Sequence, residues 1–355
     1  MTAASNSNPW APWTSRPFCT EDTRYCVFTN AGFQGPNRGL SIIDAPTDGT
    51  GNVTTAAAFF AELLSSLHPA PETAEEKSPP YQVRDIPGKG KGIVATRKIS
   101  RGQVIMVDYA AVMADARFPS RVKREQGRQL LEEAIERLPD AKEVLNLARS
   151  SSDPDNVPVT EDVVKTNSFS VNIAGKEYMA LFPRIARINH ACKPSALTHF
   201  NSTAFSNTVT AFHDILPGKE ITISYSPFGL PSPARHKILL AKWGFTCTCA
   251  LCSSPPHALA ASDARRNKIE ALGKEVVGLV EIGGTADLKK AAELYAEVVD
   301  AVKAEGLVPH LGGHYDVLGR LWAAAGEVEK GKGWILKGRK EEEGYERSAA
   351  GGERV

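Results

Sequence analysis

Three cysteines lie close together in the second half of the chain. Cys247, Cys249 and Cys252 have the spacing C-x-C-x-x-C. Thiolates at this spacing are typical ligands of structural zinc, which takes four ligands in tetrahedral geometry. The cluster therefore predicts a zinc site that needs one further ligand. Spacing alone leaves four candidates for that ligand, namely Cys192, His190, His236 and His257. The alternative without a metal is a set of buried or redox-paired cysteines.

Glycines and lysines alternate earlier in the chain. Gly88, Gly90 and Gly92 are separated by Lys89 and Lys91, between two predicted strands. Glycine at such positions lets backbone amides approach a bound ligand closely. By itself such a run is more often a β-turn with two solvated lysines than a ligand-binding loop. A ligand-binding role therefore needs support from other residues.

A tyrosine and a polar pair form the third group. Ile221, Ile223 and Tyr225 share one face of a predicted strand by parity. Tyr225 thus lies on a strand face whose other residues, Ile221 and Ile223, favour burial. Asn189 and His190 are adjacent upstream. Taken alone, these residues are explained as a core tyrosine and a polar pair that ends a helix.

The elements that must position these residues are mixed in type. Short strands separated by Gly and Pro turns are predicted over 81–86, 93–96 and 103–107. Apolar residues at helical spacing predict helix over 120–149, and a second β region follows over 169–225. The fold class is therefore predicted to be α+β.

The two ends of the chain differ from this middle part. Residues 55–67 are predicted to be a helix, and the Pro-bounded acidic stretch 69–80 a linker. After Cys252 the pattern predicts only helices, the last of which begins at Val328. Helix pairs of this length resemble tetratricopeptide hairpins, but no period near 34 residues is evident, so a helical bundle is the safer description.

Composition excludes several classes of protein. The 355 residues carry 42 Lys and Arg against 41 Asp and Glu, a formal net charge of +1. A broad electrostatic surface for nucleic acid is not expected, and no sequence-specific nucleic-acid partner is predicted. The longest apolar stretch, 56–61, is far shorter than the ~18 residues of a membrane span, so no membrane partner is predicted. The oligomeric state is not predicted.

The polar N-terminus lacks the apolar stretch of a secretory signal. The predicted location is therefore the cytoplasm or the nucleus. For a chain without an export signal, the six cysteines are predicted to be thiols or metal ligands rather than a disulfide framework.

Together these motifs resemble the SET-domain protein lysine methyltransferases, and most closely the SET-and-MYND type with its fungal relatives. Four segments carry the resemblance in one order: Gly90-Lys91-Gly92, Asn189-His190-Ala191-Cys192-Lys193-Pro194, Gly218-Lys219-Glu220-Ile221-Thr222-Ile223-Ser224-Tyr225, and Trp243-Gly244-Phe245-Thr246-Cys247-Thr248-Cys249-Ala250-Leu251-Cys252. Four motifs in one order are much harder to obtain by chance than any one of them.

The resemblance implies a domain organisation. Residues 81–252 would form a β-rich SET domain with a helical insert over about 109–168 and a zinc-binding post-SET segment over 243–252. Residues 1–80 would be an N-terminal extension and linker. Residues 253–355 would form an all-helical, tetratricopeptide-like C-terminal domain.

The resemblance also implies a reaction and its site. The chain would transfer methyl groups from S-adenosylmethionine to the ε-amine of a lysine in a protein substrate, histone or non-histone. The implied cofactor-binding residues are Lys89, Gly90, Lys91, Gly92, Asn189, His190 and Phe245. Tyr225 would lie at the point of methyl transfer, and Phe169 and Tyr225 would line the substrate channel. Cys192 would complete the structural zinc site with Cys247, Cys249 and Cys252.

Two departures from the family pattern motivate an alternative. Ser195 stands where the family usually has Asn, which removes an amide from a turn that supports the cofactor pocket. Cys19 and Cys26 alone cannot build a MYND zinc module. The alternative function is a catalytically weak SET scaffold that binds protein partners through its helical C-terminal domain. A zinc-ribbon nucleic-acid binder is a third hypothesis, which the near-neutral charge disfavours.

Overall fold

The computed structural model describes residues 9–21, 25–45, 55–67, 78–307 and 311–350. Its strands are β1 (Phe18–Cys19), β2 (Cys26–Asn30), β3 (Leu40–Asp44), β4 (Tyr81–Ile86), β5 (Gly90–Ala95), β6 (Val104–Tyr109), β7 (Val112–Asp115), β8 (Ser168–Ile173), β9 (Lys176–Leu181), β10 (Asn189–His190), β11 (Ala196–Asn201), β12 (Ser206–Ala211) and β13 (Glu220–Ile223). Its helices are α1 (Thr55–Ser66), α2 (Phe118–Arg121), α3 (Arg124–Glu136), α4 (Ala141–Leu145), α5 (Val159–Asn167), α6 (Ser232–Trp243), α7 (Pro256–Ile282), α8 (Thr285–Glu305), α9 (Leu311–Ala324) and α10 (Val328–Ala350). The α+β fold class is confirmed.

The chain divides into two compact units, each assembled from separate segments. The first comprises Met1–Lys77, Val107–Arg187 and His199–Thr208, and the second Ser78–Met106, Ile188–Thr198 and Val209–Val355. The predicted domain boundaries at residues 80 and 252 stay predictions.

The first unit is built on a six-stranded sheet of order β1-β2-β3-β7-β9-β8. Strands β3 and β7 are parallel, and the other neighbours are antiparallel. Helix α3 contributes Leu130, Leu131, Ala134 and Ile135 to the core of this unit. These positions recur at the period that keeps one helix face apolar, which is why the insert packs as a helix.

A hairpin in the first unit corrects one expectation. Cys19 and Cys26 form a disulfide with their Cα atoms 4.2 Å apart, so the prediction of thiols or metal ligands is wrong for this pair. The physical reason is register: β1 and β2 are antiparallel, and Cys19 lies directly opposite Cys26. Strand pairing brings the two side chains within bonding reach, and the compartment argument could not detect it.

The predicted helix over 120–149 is present as α2, α3 and α4. The Asp140 side chain caps α4 by accepting from the Glu143 N–H. Strand β7 was not predicted, and it lies inside the insert expected to be helical. Helix α1 confirms the prediction over 55–67, whereas most of the predicted linker lies outside the described residues.

The second unit contains a four-stranded sheet of order β10-β13-β5-β4. Strand β10 is parallel to β13, whereas β13-β5 and β5-β4 are antiparallel. A third sheet has the order β11-β12-β6.

The helices α7 to α10 confirm the prediction of an all-helical C-terminal region. Their shared core includes Val298, Val299 and Val302 of α8 and Leu318 and Trp322 of α9. These residues belong to the apolar stripes recognisable in the sequence. Among the described residues, no helix is both long and apolar enough to cross a membrane.

Candidate functional site

Tyr225 follows strand β13 by two residues in the second unit. Its hydroxyl donates to the Ile188 carbonyl oxygen at 2.7 Å, and its backbone N–H donates to Nδ1 of His190 at 3.0 Å. Its ring centroid lies 5.1 Å from Trp243 and 5.4 Å from His190. Burial, followed by the charge of Glu220, raises the pKa of Tyr225, so the phenol is neutral and keeps its proton near pH 7.

His190 joins the tyrosine to the cysteine cluster. Because its Nδ1 accepts from Tyr225, the proton resides on Nε2, which lies 3.3 Å from Sγ of Cys192 and donates to it. Burial lowers the pKa of His190 to about 4, so the ring is neutral near pH 7. Both ring nitrogens are occupied within the protein, which leaves the backbone of His190 as the part that a ligand can use.

Parallel pairing of β10 with β13 brings remote segments together. Asn189 pairs with Thr222, and His190 with Ile223. The Asn189 amide donates to the Lys91 carbonyl at 3.2 Å and to Oε1 of Glu220 at 2.9 Å. Asn189 therefore connects the glycine-lysine turn to the strand that leads to the tyrosine.

The glycine-lysine run covers the turn between β4 and β5 and the first three residues of β5, with the Lys89 N–H donating to the Ile86 carbonyl at 2.9 Å. Lys89 pairs with Glu220 at 2.7 Å. Gly92 has no room for a side chain, because a Cβ there would lie 2.5 Å from Cγ1 of Ile86 and 2.7 Å from Nδ2 of Asn189. A glycine at this position is therefore required for Asn189 to reach the turn.

Four thiols converge beside His190. The sulfur atoms of Cys192, Cys247, Cys249 and Cys252 all lie within 4.8 Å of one another. Cys192 Sγ is 3.8 Å from that of Cys247 and 3.5 Å from that of Cys252. Hydrogen bonding from Cys192 lowers the pKa of Cys249, which favours its thiolate. Such a donor set can hold one metal ion.

The histidines that the spacing left as candidates for the fourth metal ligand do not belong to this group of four thiols. His236 hydrogen-bonds to Cys252 through Nε2 at 3.3 Å, as His190 does to Cys192. His257 is exposed on α7. Apolar side chains, including Leu239, pack around the thiols, which keeps water from competing for a bound ion.

Ser195, at the position where the family pattern has Asn, makes hydrogen bonds to strand β13. Its hydroxyl accepts from the Thr222 N–H at 2.9 Å, and its own N–H donates to the Thr222 carbonyl at 3.1 Å. Both residues are buried. The turn next to β13 is therefore held by hydrogen bonds despite the substitution.

The aromatic residues near Tyr225 were only partly predicted. Phe245 packs at 6.5 Å from Tyr225 and 6.3 Å from His190. Trp243 is closer than Phe245 but was not singled out, although it begins the same sequence motif. Phe169 belongs to the first unit, where its ring packs 5.8 Å from Phe182.

Comparison with known proteins bears on this arrangement. The family model described as SET domain matches residues 90–226. The chain contains a SET domain. The match begins in the glycine-lysine turn and ends one residue after Tyr225, so it includes β10, β13 and the Asn189-His190 pair.

Several curated relatives of this SET-domain chain are named lysine methyltransferases. Histone-lysine N-methyltransferase set5 of Schizosaccharomyces pombe is 28% identical over 53% of this chain and 56% of its own length. N-lysine methyltransferase SMYD2-A of Danio rerio is 32% identical over 28% of this chain and 24% of its own. Protein-lysine N-trimethyltransferase SMYD5 of Mus musculus is 40% identical over 21% of this chain and 19% of its own. The chain thus spans about half or less of the length of these relatives.

Proposed function

We propose that this chain transfers a methyl group from S-adenosylmethionine to the ε-amine of a lysine in a protein substrate. The observation that carries the proposal is the placement of Tyr225 by the β10-β13 pairing, next to the Asn189 that braces the glycine-lysine turn. The names of the relatives support the same reaction class. We keep the cytoplasm or the nucleus as the proposed location.

The cofactor would be held by the backbone of residues 89–92, by Asn189, by the backbone of His190 and by Phe245. The turn fits this role, because Gly90 has a φ of +70° and an added Cβ there meets no atom within 4 Å. Its backbone is therefore open to a bound molecule. When bound, S-adenosylmethionine supplies a methyl group on a positively charged sulfonium.

The protein residues have two tasks in this reaction. An ammonium has no lone pair, so the substrate lysine must be neutral, and an apolar channel lowers its pKa toward that state. The Tyr225 hydroxyl donates its hydrogen bond to the Ile188 carbonyl oxygen, so the lone pairs of its own oxygen are available to accept an N–H of the amine and orient the nitrogen lone pair. Catalysis would rest mainly on alignment at roughly 3–3.5 Å between nitrogen and methyl carbon, without a strong general base. For Phe169, a place in the substrate channel stays a prediction from the family resemblance.

We also propose that the four thiols hold a structural zinc ion. Four sulfur ligands match the coordination number of structural zinc and leave no open position for chemistry. Through the hydrogen bond from His190 to Cys192, the ion would stabilise the segment that carries the Asn189-His190 pair.

The test measures labelled methyl transfer from S-adenosylmethionine to a lysine-containing peptide array, together with cofactor binding by calorimetry. The wild type is expected to bind the cofactor and to label lysine peptides. Tyr225→Phe removes one hydroxyl and is expected to bind the cofactor within about three-fold of wild type, while transfer falls on the order of 100-fold, as for loss of one orienting hydrogen bond. Cofactor binding by the wild type without transfer to any lysine peptide or protein extract would contradict the proposal.

A further inference from the structure

A buried ionic network lies against the cysteine cluster in the second unit. Arg266 of α7 is only 1% exposed. It donates from Nη2 to the Cys192 carbonyl at 3.3 Å and from Nε to Oε1 of Glu305 at 2.9 Å. Glu305, the last residue of α8, is fully buried. One guanidinium therefore joins the helical region to the backbone of a predicted metal ligand.

A second buried arginine lies on α6. Arg235 is also 1% exposed. It donates through Nη1 to the Leu230 carbonyl, which Arg266 also contacts at 3.2 Å, and its nearest carboxylate is Asp263 at 3.7 Å. Among the described residues, no acceptor lies within hydrogen-bond distance of its Nε and Nη2. Its positive charge is thus weakly compensated by the protein.

The charges of the network do not balance. Glu305 also accepts from Ser262, pairs with Arg265 at 2.8 Å and lies 3.7 Å from Lys193. The network has four cationic side chains, namely Lys193, Arg235, Arg265 and Arg266. Its two anionic side chains are Asp263 and Glu305. The Lys193 and Arg265 side chains are 41% and 33% exposed and therefore reach solvent. The three fully buried groups, Arg235, Arg266 and Glu305, carry a net charge of +1 next to the cysteine cluster.

A buried excess of positive charge is unfavourable unless an anion compensates it. A divalent ion held by four thiolates has a net charge of −2, which is opposite in sign to the buried excess. We infer that Arg266 and Arg235 are counter-charges that stabilise the metal-thiolate centre, so that α6, α7 and α8 are part of the metal site. This inference rests on the proposed zinc site and concerns the residues around it.

A purely structural role is the competing explanation, because the same ion pairs join α7 to α8. The two explanations predict different changes in zinc affinity when the Glu305 carboxylate is removed. If the network only holds helices together, loss of either partner weakens metal binding through the fold. If it acts by charge, removal of a cation weakens zinc binding, whereas removal of the Glu305 carboxylate leaves zinc binding as tight as in wild type or tighter.

The experiment measures zinc affinity of the full chain by competition with a chromophoric chelator. Arg266→Met is expected to bind zinc at least about ten-fold more weakly, equivalent to about 1.4 kcal/mol. Glu305→Gln is expected to bind zinc no more weakly than wild type. Lys274→Met is the matched control, because Lys274 lies on the same helix with its side chain 75% exposed and pairs with Glu270. It is expected to leave zinc affinity unchanged.

Circular dichroism of each zinc-free variant tests whether it is folded, and Arg266→Lys supplies a variant that keeps the charge. Arg266→Lys is expected to bind zinc within about three-fold of wild type, although its single ammonium nitrogen replaces the three guanidinium nitrogens that donate to Glu305, Leu230 and Cys192. Equal weakening by Arg266→Met and Glu305→Gln, or by Arg266→Met and Arg266→Lys, would overturn the inference in favour of a structural role. A wild type without bound zinc overturns it together with the zinc site. A wild type that binds zinc but transfers no methyl group refutes only the proposed reaction.

Discussion

Gly92→Ala tests whether the glycine-lysine turn and Asn189 work as one cofactor-binding unit. The φ of Gly92 lies outside the left-handed region, so the effect of the substitution is steric rather than conformational. The new Cβ would lie 2.5 Å from Ile86 and 2.7 Å from the Asn189 amide, and 3.3 Å from Oε1 of Glu220. Contacts this short require the neighbours to move, at a cost of about 1–3 kcal/mol.

The displaced Asn189 amide would also lose its hydrogen bonds to the Lys91 carbonyl and to Glu220, each worth about 1 kcal/mol. The expected loss of unfolding free energy is therefore about 3–5 kcal/mol. Because the turn carbonyl and the amide move together, affinity for S-adenosylmethionine is expected to fall at least about ten-fold, equivalent to about 1.4 kcal/mol.

The assay combines urea unfolding with calorimetric titration of S-adenosylmethionine. Gly175→Ala is the control for destabilisation alone, because Gly175 has a φ of +81° and an added Cβ meets no atom within 4 Å. This control is expected to lose about 1–2 kcal/mol of stability and to keep wild-type cofactor affinity. If Gly92→Ala binds the cofactor as tightly as Gly175→Ala does, the turn is only a β-turn and the coupling through Asn189 has no role in binding.

Three further outcomes are expected. Ser195→Ala leaves the buried Thr222 N–H without its acceptor and should lower the unfolding free energy by about 1–3 kcal/mol in urea titrations, with Ser195→Thr as the control that keeps a hydroxyl. Cys249→Ser should weaken zinc binding on the order of 100-fold in chelator competition, and full zinc retention would remove Cys249 from the ligand set. Burial alone would raise the pKa of Glu305. The hydrogen bonds from Ser262 and Arg266 lower it by more than burial raises it, so the net pKa lies below the ordinary 4.5. The stabilisation by Glu305 is then complete above pH 4.5 and disappears as the pH falls through the folded pKa, so the stability difference between zinc-free wild type and Glu305→Gln should shrink in that range.

The sequence was most informative where one local pattern determines one element. Turn residues around a short strand pattern predicted both ends of β4, and apolar periodicity predicted that the last helix, α10, begins at Val328. The C-x-C-x-x-C spacing identified three thiols that the structure brings together with Cys192. The choice of Cys192 over nearby histidines came from the family resemblance, because spacing alone does not encode which remote segment approaches the cluster.

Features that depend on pairing between distant segments were not predictable in the same way. The disulfide Cys19–Cys26 follows from strand register, which an argument from cellular compartment does not consider. The contact between Tyr225 and His190 follows from two short parallel strands, and the two-residue β10 is too short to give a periodic signal. The Arg266-Glu305 pair joins different helices, so neither residue marks the other in the sequence.

The buried carboxylate of Glu305 has a consequence for synthesis on the ribosome. Glu305 follows its hydrogen-bond donor Ser262 by 43 positions. At about 5–20 residues per second, it is added roughly 2–9 seconds later. During that interval the nascent chain already contains all four thiols and Arg266, but the guanidinium lacks its carboxylate. Arg266 therefore gains its paired carboxylate only when the last residue of α8 has been added.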